Sequence, residues 1–218
     1  NGLKVVVTLF DHRTDHSIEN WGADELHLRG VVGPLAAHPA ILAWDLKNEA
    51  DRDAAFNTPA RNEAWLRHMA AQVRALDPRR LITVGWSTPA AAAAAPSDFV
   101  DVVSFHYYGD AADYAASLAA LRSAVPGKPL LLSEYGQSTW RWLWPASSLE
   151  EQQAQYIAAI RAAPGQGETA GEIVWTLYDF SAVPLPEFRF PWQKAAQAHM
   201  GVLRTDGSPK PAASLLVD

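Results

Sequence analysis

The chain alternates short apolar runs with longer alanine-rich segments, and this rhythm limits the folds that it can adopt. Six runs have the composition of β-strands: Val5–Phe10, Ile41–Asn48, Leu81–Trp86, Val100–Tyr108, Leu130–Glu134 and Glu172–Tyr178. Four segments between them have helical patterns, near Ala23–Ala37, Arg61–Leu76, Ala111–Ala124 and Leu149–Ala162. Strands that alternate with helices in this way indicate βαβ units and a parallel sheet.

Two further segments have less definite patterns. The alanine run Ala90–Ala95 fits either a short helix or a loop, and the proline-rich segment Ser181–Gln193 is typical of a long irregular loop. No linker between domains is visible in the sequence. We therefore expect residues 1–218 to form a single (β/α) domain.

Charge and composition argue against several classes of partner. The net charge is −6 and the basic residues form no concentrated patch, which argues against nucleic acid or an anionic membrane as the main partner. The absence of cysteine excludes disulfides and thiol chemistry. The seven histidines are scattered, so we predict no metal site and no cofactor. No apolar run approaches the roughly 18 residues that would suggest a membrane span.

Two of the predicted strands lead to a glutamate at their carboxyl end, Glu49 and Glu134. A carboxylate at the end of a buried strand is unfavourable unless it serves a site. In a (β/α)8 barrel, this end of the strands carries the catalytic groups. Two carboxyl groups that face each other across such a mouth are the equipment for hydrolysing a glycosidic bond. The sequence therefore predicts a pair of catalytic carboxylates.

The alternation of side chains along a strand places other residues beside this pair. His106 and Tyr108 share one face of their strand, and Trp175 lies on the last strand. If these faces line a barrel, the three side chains converge with both glutamates at one mouth. Alternation cannot turn Asn48 and Glu49 inward together, so we expect a bulge or the end of the strand at that point.

Four short motifs occur in order along the chain: Asn48-Glu49, His106-Tyr107-Tyr108, Ser133-Glu134-Tyr135-Gly136 and Trp175. In this order they resemble the landmarks of the clan A glycoside hydrolases, and most closely those of glycoside hydrolase family 5, the cellulase and mannanase family. The resemblance implies a (β/α)8 TIM barrel of the glycosidase type, with about six of the eight βα units in this chain.

The resemblance also implies a role for each residue. Glu49 would be the acid/base and Glu134 the nucleophile of a retaining double displacement, which needs the two carboxyls about 5–5.5 Å apart. The substrate-binding residues would be Asn48 at the sugar 2-hydroxyl, Tyr108 at the nucleophile, His106 at the substrate or near the nucleophile, and Trp175 beneath the cleaved sugar.

Aromatic residues follow the second glutamate at alternate positions, namely Trp140, Trp142 and Trp144. Tryptophan faces stack on the apolar faces of sugar rings, so we expect at least one of the three, and Trp140 first, to contact a ligand. Asp11 and His12, at the end of the first strand, could line the same pocket.

Structural roles remain open for several of these residues. Glu49 could instead cap the following helix, Glu134 could be a buried carboxylate paired with an arginine, and His106 could be a core histidine. Trp44 and Trp86 are expected to be packing residues. Each alternative predicts contacts that differ from those of an active site.

Register with the family makes Val5–Phe10 the third barrel strand, so the first two strands and an arginine that the clan carries on the second are absent from this sequence. We expect the chain to be truncated at its amino terminus. An open barrel would expose two unpaired edges, which predicts reduced stability and self-association through those edges.

The motifs together predict a retaining glycoside hydrolase that cleaves β-linked glucan, mannan or related oligosaccharides. The alternative is a carbohydrate-binding pseudoenzyme without turnover, which the missing arginine would favour. A barrel such as an aldolase would need a Schiff-base lysine, for which Lys47 and Lys128 are poor candidates. The habit of the resembled family of attacking external polysaccharides favours a secreted or periplasmic location.

Overall fold

The computed structural model describes residues 2–142, 146–182, 188 and 190–216. The strands of this part are β1 Val5–Phe10, β2 Ile41–Lys47, β3 Leu81–Thr83, β4 Gly85–Trp86, β5 Val103–Tyr107, β6 Leu130–Tyr135 and β7 Gly171–Val174. The α-helices are α1 Trp21–Leu35, α2 Pro59–Leu76, α3 Pro89–Ala94, α4 Ala111–Ala124, α5 Ala146–Arg161 and α6 Pro191–Ala198. The predicted order of strands and helices is confirmed.

The strands form two sheets. In the first, the order is β1-β2-β3 and both pairs are parallel. In the second, the order is β4-β5-β6-β7, with β4 and β5 parallel. Every residue of β2 except Leu42 is buried. A strand that is covered on both faces is a nearly continuous apolar run. Such a run predicts a strand at β2, but it gives no alternation that shows which side chains share a face.

The predicted strand Leu81–Trp86 is divided at Val84 because the backbone changes partner there. β3 pairs with β2, whereas β4 pairs with β5. Near the division, Thr83 Oγ1 donates to Val102 O at 2.9 Å, so a side chain supports the backbone between the two short strands.

The last predicted strand is also shorter than expected. β7 ends at Val174 rather than at Tyr178. Beyond β7 the backbone bonds to a later segment of the chain, since Leu203 N donates to Leu177 O at 2.8 Å. The segment after Val174 therefore has the composition of a strand but lies beyond the regular pairing of β7.

Two helices resolve the segments with indefinite patterns. The alanine run is helical, and Thr88 caps α3 by accepting from Ala91 N at 3.1 Å. The predicted loop Ser181–Gln193 overlaps the start of α6, where Pro191 occupies the first turn. Proline suits that position because the first N–H groups of a helix have no partner within the helix. Residues 183–187 and 189 of this segment lie outside the described residues.

The chain divides into two compact units, Asn1–His106 with Ala120–Leu131, and Tyr107–Ala119 with Leu132–Asp218. Fully buried side chains of the first unit include Trp44, Trp65 and Leu28, and those of the second include Tyr114, Leu118, Tyr135 and Ile157. The expectation of one domain stays a prediction. No helix of the described part is both long and apolar enough to cross a membrane.

Candidate active site

Glu49 lies in the first unit, at the turn that follows β2. Its backbone is left-handed, with φ 47° and ψ 51°, and a 3-10 helix over Ala50–Ala55 begins directly after it. The end of the strand therefore turns Glu49 away from the alternation of β2, as the sequence predicted. Its side chain forms no cap hydrogen bond with that helix, which disfavours the capping alternative.

The Glu49 carboxylate contacts two cationic or titratable side chains. Oε1 lies 3.2 Å from His106 Nδ1, and Oε2 lies 2.9 Å from Arg52 Nε. The His106 side chain is 4% exposed, whereas that of Arg52 is 68% exposed. An ion pair with an exposed arginine is screened by water and contributes little. The buried histidine is therefore the contact that orients this carboxylate.

Asn48 is held by the last residue of β1 and by the residue that follows it. Its side-chain Nδ2 donates to Asp11 Oδ1 at 3.0 Å, and its backbone N donates to Phe10 O at 2.9 Å. The structure thus brings Asp11 beside Asn48. His12 Nε2 lies 3.3 Å from Asp11 Oδ2, and both of these side chains are more than half exposed.

Asp45 is a buried carboxyl beneath this turn that the sequence reasoning did not single out. Oδ1 accepts from Gly85 N at 2.9 Å and Oδ2 accepts from Thr8 Oγ1 at 2.8 Å. Burial raises the pKa of Asp45 to about 6, against the opposing effects of these hydrogen bonds and of nearby His106. No periodic signal could have identified it, because β2 is buried on both faces.

Glu134 lies in the second unit, one residue before the end of β6. Its Oε1 accepts a hydrogen bond from the hydroxyl of Tyr108, which follows β5 directly. Tyr108 is 44% exposed and Glu134 is partly exposed. The structure therefore joins the predicted nucleophile to the tyrosine that the resemblance assigned to it. The partial exposure of Glu134 disfavours the alternative of a buried structural carboxylate paired with an arginine, which stays untested.

Trp175 follows β7 and is partly exposed, but its Nε1 is buried and has no hydrogen-bond partner within the described part of the chain. Its backbone N donates to Tyr135 O at 2.8 Å. Gly136 is the first residue after β6, and a Cβ there would overlap the Trp175 carbonyl oxygen. The glycine of the Ser-Glu-Tyr-Gly motif thus permits close approach of these two backbone segments.

The other predicted residues take varied positions. Trp140 is partly exposed and its ring centroid lies 6.0 Å from that of Trp142, which is 74% exposed. Trp144 lies outside the described residues. Trp44 and Trp86 are buried, as expected of packing residues. Within the described ranges, no group of three or more His, Asp or Glu side chains has the arrangement of a metal site.

The chain has recognisable relatives. The model of the family "Glycosyl hydrolases family 2, TIM barrel domain" matches residues 27–215. A putative mannan endo-1,4-beta-mannosidase 5 of Oryza sativa subsp. japonica is 30% identical over 182 residues, which cover 64% of this chain and 37% of that protein. A beta-glucuronidase of Streptococcus agalactiae is 27% identical over 193 residues, which cover 78% of this chain and 30% of that protein.

A solved structure has a similar fold. The beta-D-glucuronidase of Dictyoglomus thermophilum matches with a TM-score of 0.67 and 24% identity, over 89% of this chain and 35% of that chain. This chain thus spans about a third of the length of the proteins that it matches.

These likenesses confirm the glycosidase-type TIM barrel and correct the family. The sequence resemblance named family 5, whereas the matched model is that of family 2. The motifs that carried the resemblance are pairs such as Asn48-Glu49 and Ser133-Glu134 at strand ends. Such short motifs indicate a chemistry and a position in the barrel, and they are too short to separate families that share both.

Proposed function

This chain belongs to glycosyl hydrolases family 2 through its TIM barrel domain, and we propose that it cleaves β-linked glycosides by a retaining double displacement. Glu134 is the nucleophile and Glu49 the acid/base. The observation that carries the proposal is the hydrogen bond from the Tyr108 hydroxyl to Glu134 Oε1. A donor on one oxygen helps to hold the carboxylate in one orientation for attack.

The reaction proceeds in two steps. Glu134 attacks the anomeric carbon, and the bond to the leaving oxygen breaks as that oxygen takes a proton from Glu49. In the second step Glu49 takes a proton from water, the water oxygen bonds to the anomeric carbon, and Glu134 leaves. Two inversions restore the original configuration. The contact with His106 supports this role for Glu49 because a proton carrier must be held in place.

Three other side chains are assigned to the sugar. Trp175, which is partly exposed, forms the floor beneath the cleaved sugar and stacks on its apolar face. Asn48 donates to the 2-hydroxyl and exchanges its bond with Asp11 for one with the sugar. Trp140 offers a partly exposed aromatic face for stacking.

The substrate class follows from the relatives together with the site. Endo-mannosidase and glucuronidase relatives both act on β-linked sugars according to their names. We assign this chain a β-glucan, β-mannan, related oligosaccharide or β-glucuronide substrate. A panel of glucosyl, mannosyl and glucuronyl compounds therefore covers the proposal.

The test is intact mass spectrometry after incubation with 2-deoxy-2-fluoro β-glycosides of these three sugars, followed by peptide mapping. The fluorine slows hydrolysis of the glycosyl-enzyme, so the expected result is the mass of one sugar on Glu134. Glu134→Gln abolishes the adduct. Glu151→Gln, at an exposed glutamate of α5 in the same unit, leaves it intact. An adduct on another residue overturns the assignment.

The same variant separates an enzyme from a pseudoenzyme that only binds sugar. If the protein binds an oligosaccharide in calorimetry but forms no adduct and turns over no substrate, the binding function replaces the proposed one. If Glu134→Gln keeps sugar affinity while turnover disappears, the enzyme assignment stands.

Self-association through an open sheet edge stays a prediction. β1 is a terminal strand of its sheet in the described part of the chain, and Val5 at its start is 43% exposed. Unpaired strand edges are templates for pairing with another chain. Light scattering of the purified chain tests the expectation, and a stable monomer with a cooperative melt contradicts it.

A further inference from the structure

Lys47 is a buried cation at the end of β2, two residues before Glu49. It is 2% exposed. Its Nζ donates to Asn48 O and to Asp11 O, both at 2.7 Å, and lies 3.2 Å from Asp53 Oδ2. The two contacts with carbonyl oxygens are hydrogen bonds, and the contact with Asp53 is an ion pair.

Stability alone is a poor explanation for this lysine. Removing an ammonium group from water is strongly unfavourable, and apolar residues of similar volume commonly replace buried ion pairs without loss of stability. Both hydrogen bonds of Lys47 go to backbone carbonyls rather than to a carboxylate. The ammonium group therefore mainly fixes the backbone at one point.

That point is the peptide bond immediately before Glu49. The carbonyl of Asn48 accepts from Lys47, and the next residue adopts the left-handed conformation with φ 47°. A residue with a Cβ is disfavoured there and keeps that conformation only where its surroundings impose it. Lys47 supplies such a constraint at the start of the turn.

Asp53 supplies a second constraint at the other end of the turn, within the 3-10 helix that follows Glu49. Its Oδ2 lies 3.3 Å from Nε2 of His16, and the His16 ring stacks on Trp65 with centroids 4.0 Å apart. Burial lowers the pKa of His16, which favours the neutral ring in this stack. Lys47 is thus linked to the core of its unit through Asp53.

We propose that Lys47 is a positioning residue that holds the Asn48–Glu49 peptide so that the Glu49 carboxyl stays against His106 in the geometry needed to protonate the leaving group. The inference rests on the proposed role of Glu49 as the acid/base. Lys47 itself touches no reacting atom.

The leaving group of the substrate reveals this role. A 2,4-dinitrophenolate leaves without a proton, whereas a phenolate or a sugar alkoxide needs one from the general acid. Misplacing Glu49 therefore slows cleavage of a phenyl β-glycoside more than that of the dinitrophenyl β-glycoside of the same sugar. A variant that merely lowers the fraction of folded protein slows both equally.

The experiment measures kcat/KM for this pair of glycosides with glucose, mannose and glucuronic acid as the sugar. Lys47→Met is expected to lower kcat/KM for the phenyl glycoside about tenfold more than for the dinitrophenyl glycoside. Lys128→Met is the matched control, because Lys128 Nζ donates to a different backbone carbonyl of the same unit, Val100 O, at 2.6 Å. Its ratio of the two rates stays at the wild-type value.

Glu49→Ala is the reference that separates the two levels of inference. This variant should lower kcat/KM for the phenyl glycoside relative to the dinitrophenyl glycoside by a larger factor than Lys47→Met does. If Glu49→Ala lacks this dependence, or if no glycoside is turned over, the proposed function fails and the inference fails with it. If Glu49→Ala shows it and folded Lys47→Met does not, Lys47 has no positioning role and the proposed function stands.

Asp53→Asn decides the matter if Lys47→Met does not fold. This change keeps the shape of the side chain but removes the charge partner that holds the Lys47 ammonium beside the Asn48 carbonyl. The expected result is a shift of the same ratio in the same direction, smaller than that of Glu49→Ala. An unchanged ratio overturns the inference.

Discussion

Nδ1 of His106 lies 3.2 Å from Oε1 of Glu49, although the two residues are 57 positions apart in the chain. The ring occupies a tight slot, since a Cβ at Gly85 would lie 3.3 Å from its Nε2. The resemblance assigned His106 to the substrate or to the surroundings of Glu134. That assignment stays a prediction, and the contact observed for the ring is with Glu49.

Tyr108→Phe removes the hydroxyl that donates to Glu134 Oε1. Hydrogen bonds to charged groups contribute about 1.5–3 kcal/mol, so we expect kcat/KM to fall roughly 10- to 100-fold. Steady-state kinetics on an aryl β-glycoside measures the loss. Tyr114→Phe is the control, because its hydroxyl bonds to Gln166 in the buried core. It should lower stability and leave turnover unchanged, and equal kinetic losses in both variants would contradict the assignment.

Trp175→Phe and Trp65→Phe remove the same indole N–H from two different settings. Nε1 of Trp65 donates to Asp24 Oδ2 at 2.9 Å, so Trp65→Phe should destabilise the protein by about 2 kcal/mol or more. Nε1 of Trp175 has no partner in the described structure, so its loss breaks no bond of the free protein. We expect Trp175→Phe to weaken sugar binding and turnover, because phenylalanine offers a smaller ring face to the sugar, while the free energy of unfolding changes by less than about 1 kcal/mol.

The pair is compared by chemical denaturation and by kinetics. We expect Trp65→Phe to lose more stability than Trp175→Phe, and Trp175→Phe to lose more activity than Trp65→Phe. If Trp175→Phe is as destabilising as Trp65→Phe and leaves the kinetics unchanged, Trp175 is a packing residue.

Asp45→Asn should change the pH dependence of stability. The pKa of Asp45 is raised from 3.8 to about 6 in the folded protein, so the folded state binds the proton more tightly. The contribution of this carboxyl is therefore most favourable below pH 4 and is lost as the pH rises to about 6. The loss is on the order of 3 kcal/mol.

Denaturation of both proteins at several pH values measures this effect. Relative to the wild type, Asp45→Asn should gain stability steadily between about pH 4 and pH 6 and no further above that range. A difference between the two proteins that does not vary with pH would show that Asp45 ionises normally in the fold.

Gly136→Ala should be strongly destabilising. The added Cβ would overlap the carbonyl oxygen of Trp175, and backbone on both sides must move to make room. Gly30→Ala is the matched control, since Gly30 is exposed in α1 and a Cβ there meets nothing within 4 Å. Alanine in a helix is favoured over glycine by about 0.5–1 kcal/mol, so the control should raise the melting temperature. A mild effect of Gly136→Ala would show that this approach is not tight.

The sequence by itself determined the succession of strands and helices, and it located both glutamates where strands end. These features depend on local patterns: the spacing of apolar residues, prolines and glycines at element ends, and the order of short motifs. The local nature of these patterns also limited what the sequence could predict. Pro191 counted toward a loop, yet it begins α6, because a proline is compatible with both.

Only the tertiary structure decided which side chains meet. Glu49 contacts His106, and Lys47 bonds to Asn48 O and Asp11 O. One predicted strand divides at Val84 because its two parts pair with different strands. A buried strand such as β2 gives no alternation from which to infer its partners. The partner of a side chain depends on the segments that pack around it, and a local pattern carries no information about those distant segments.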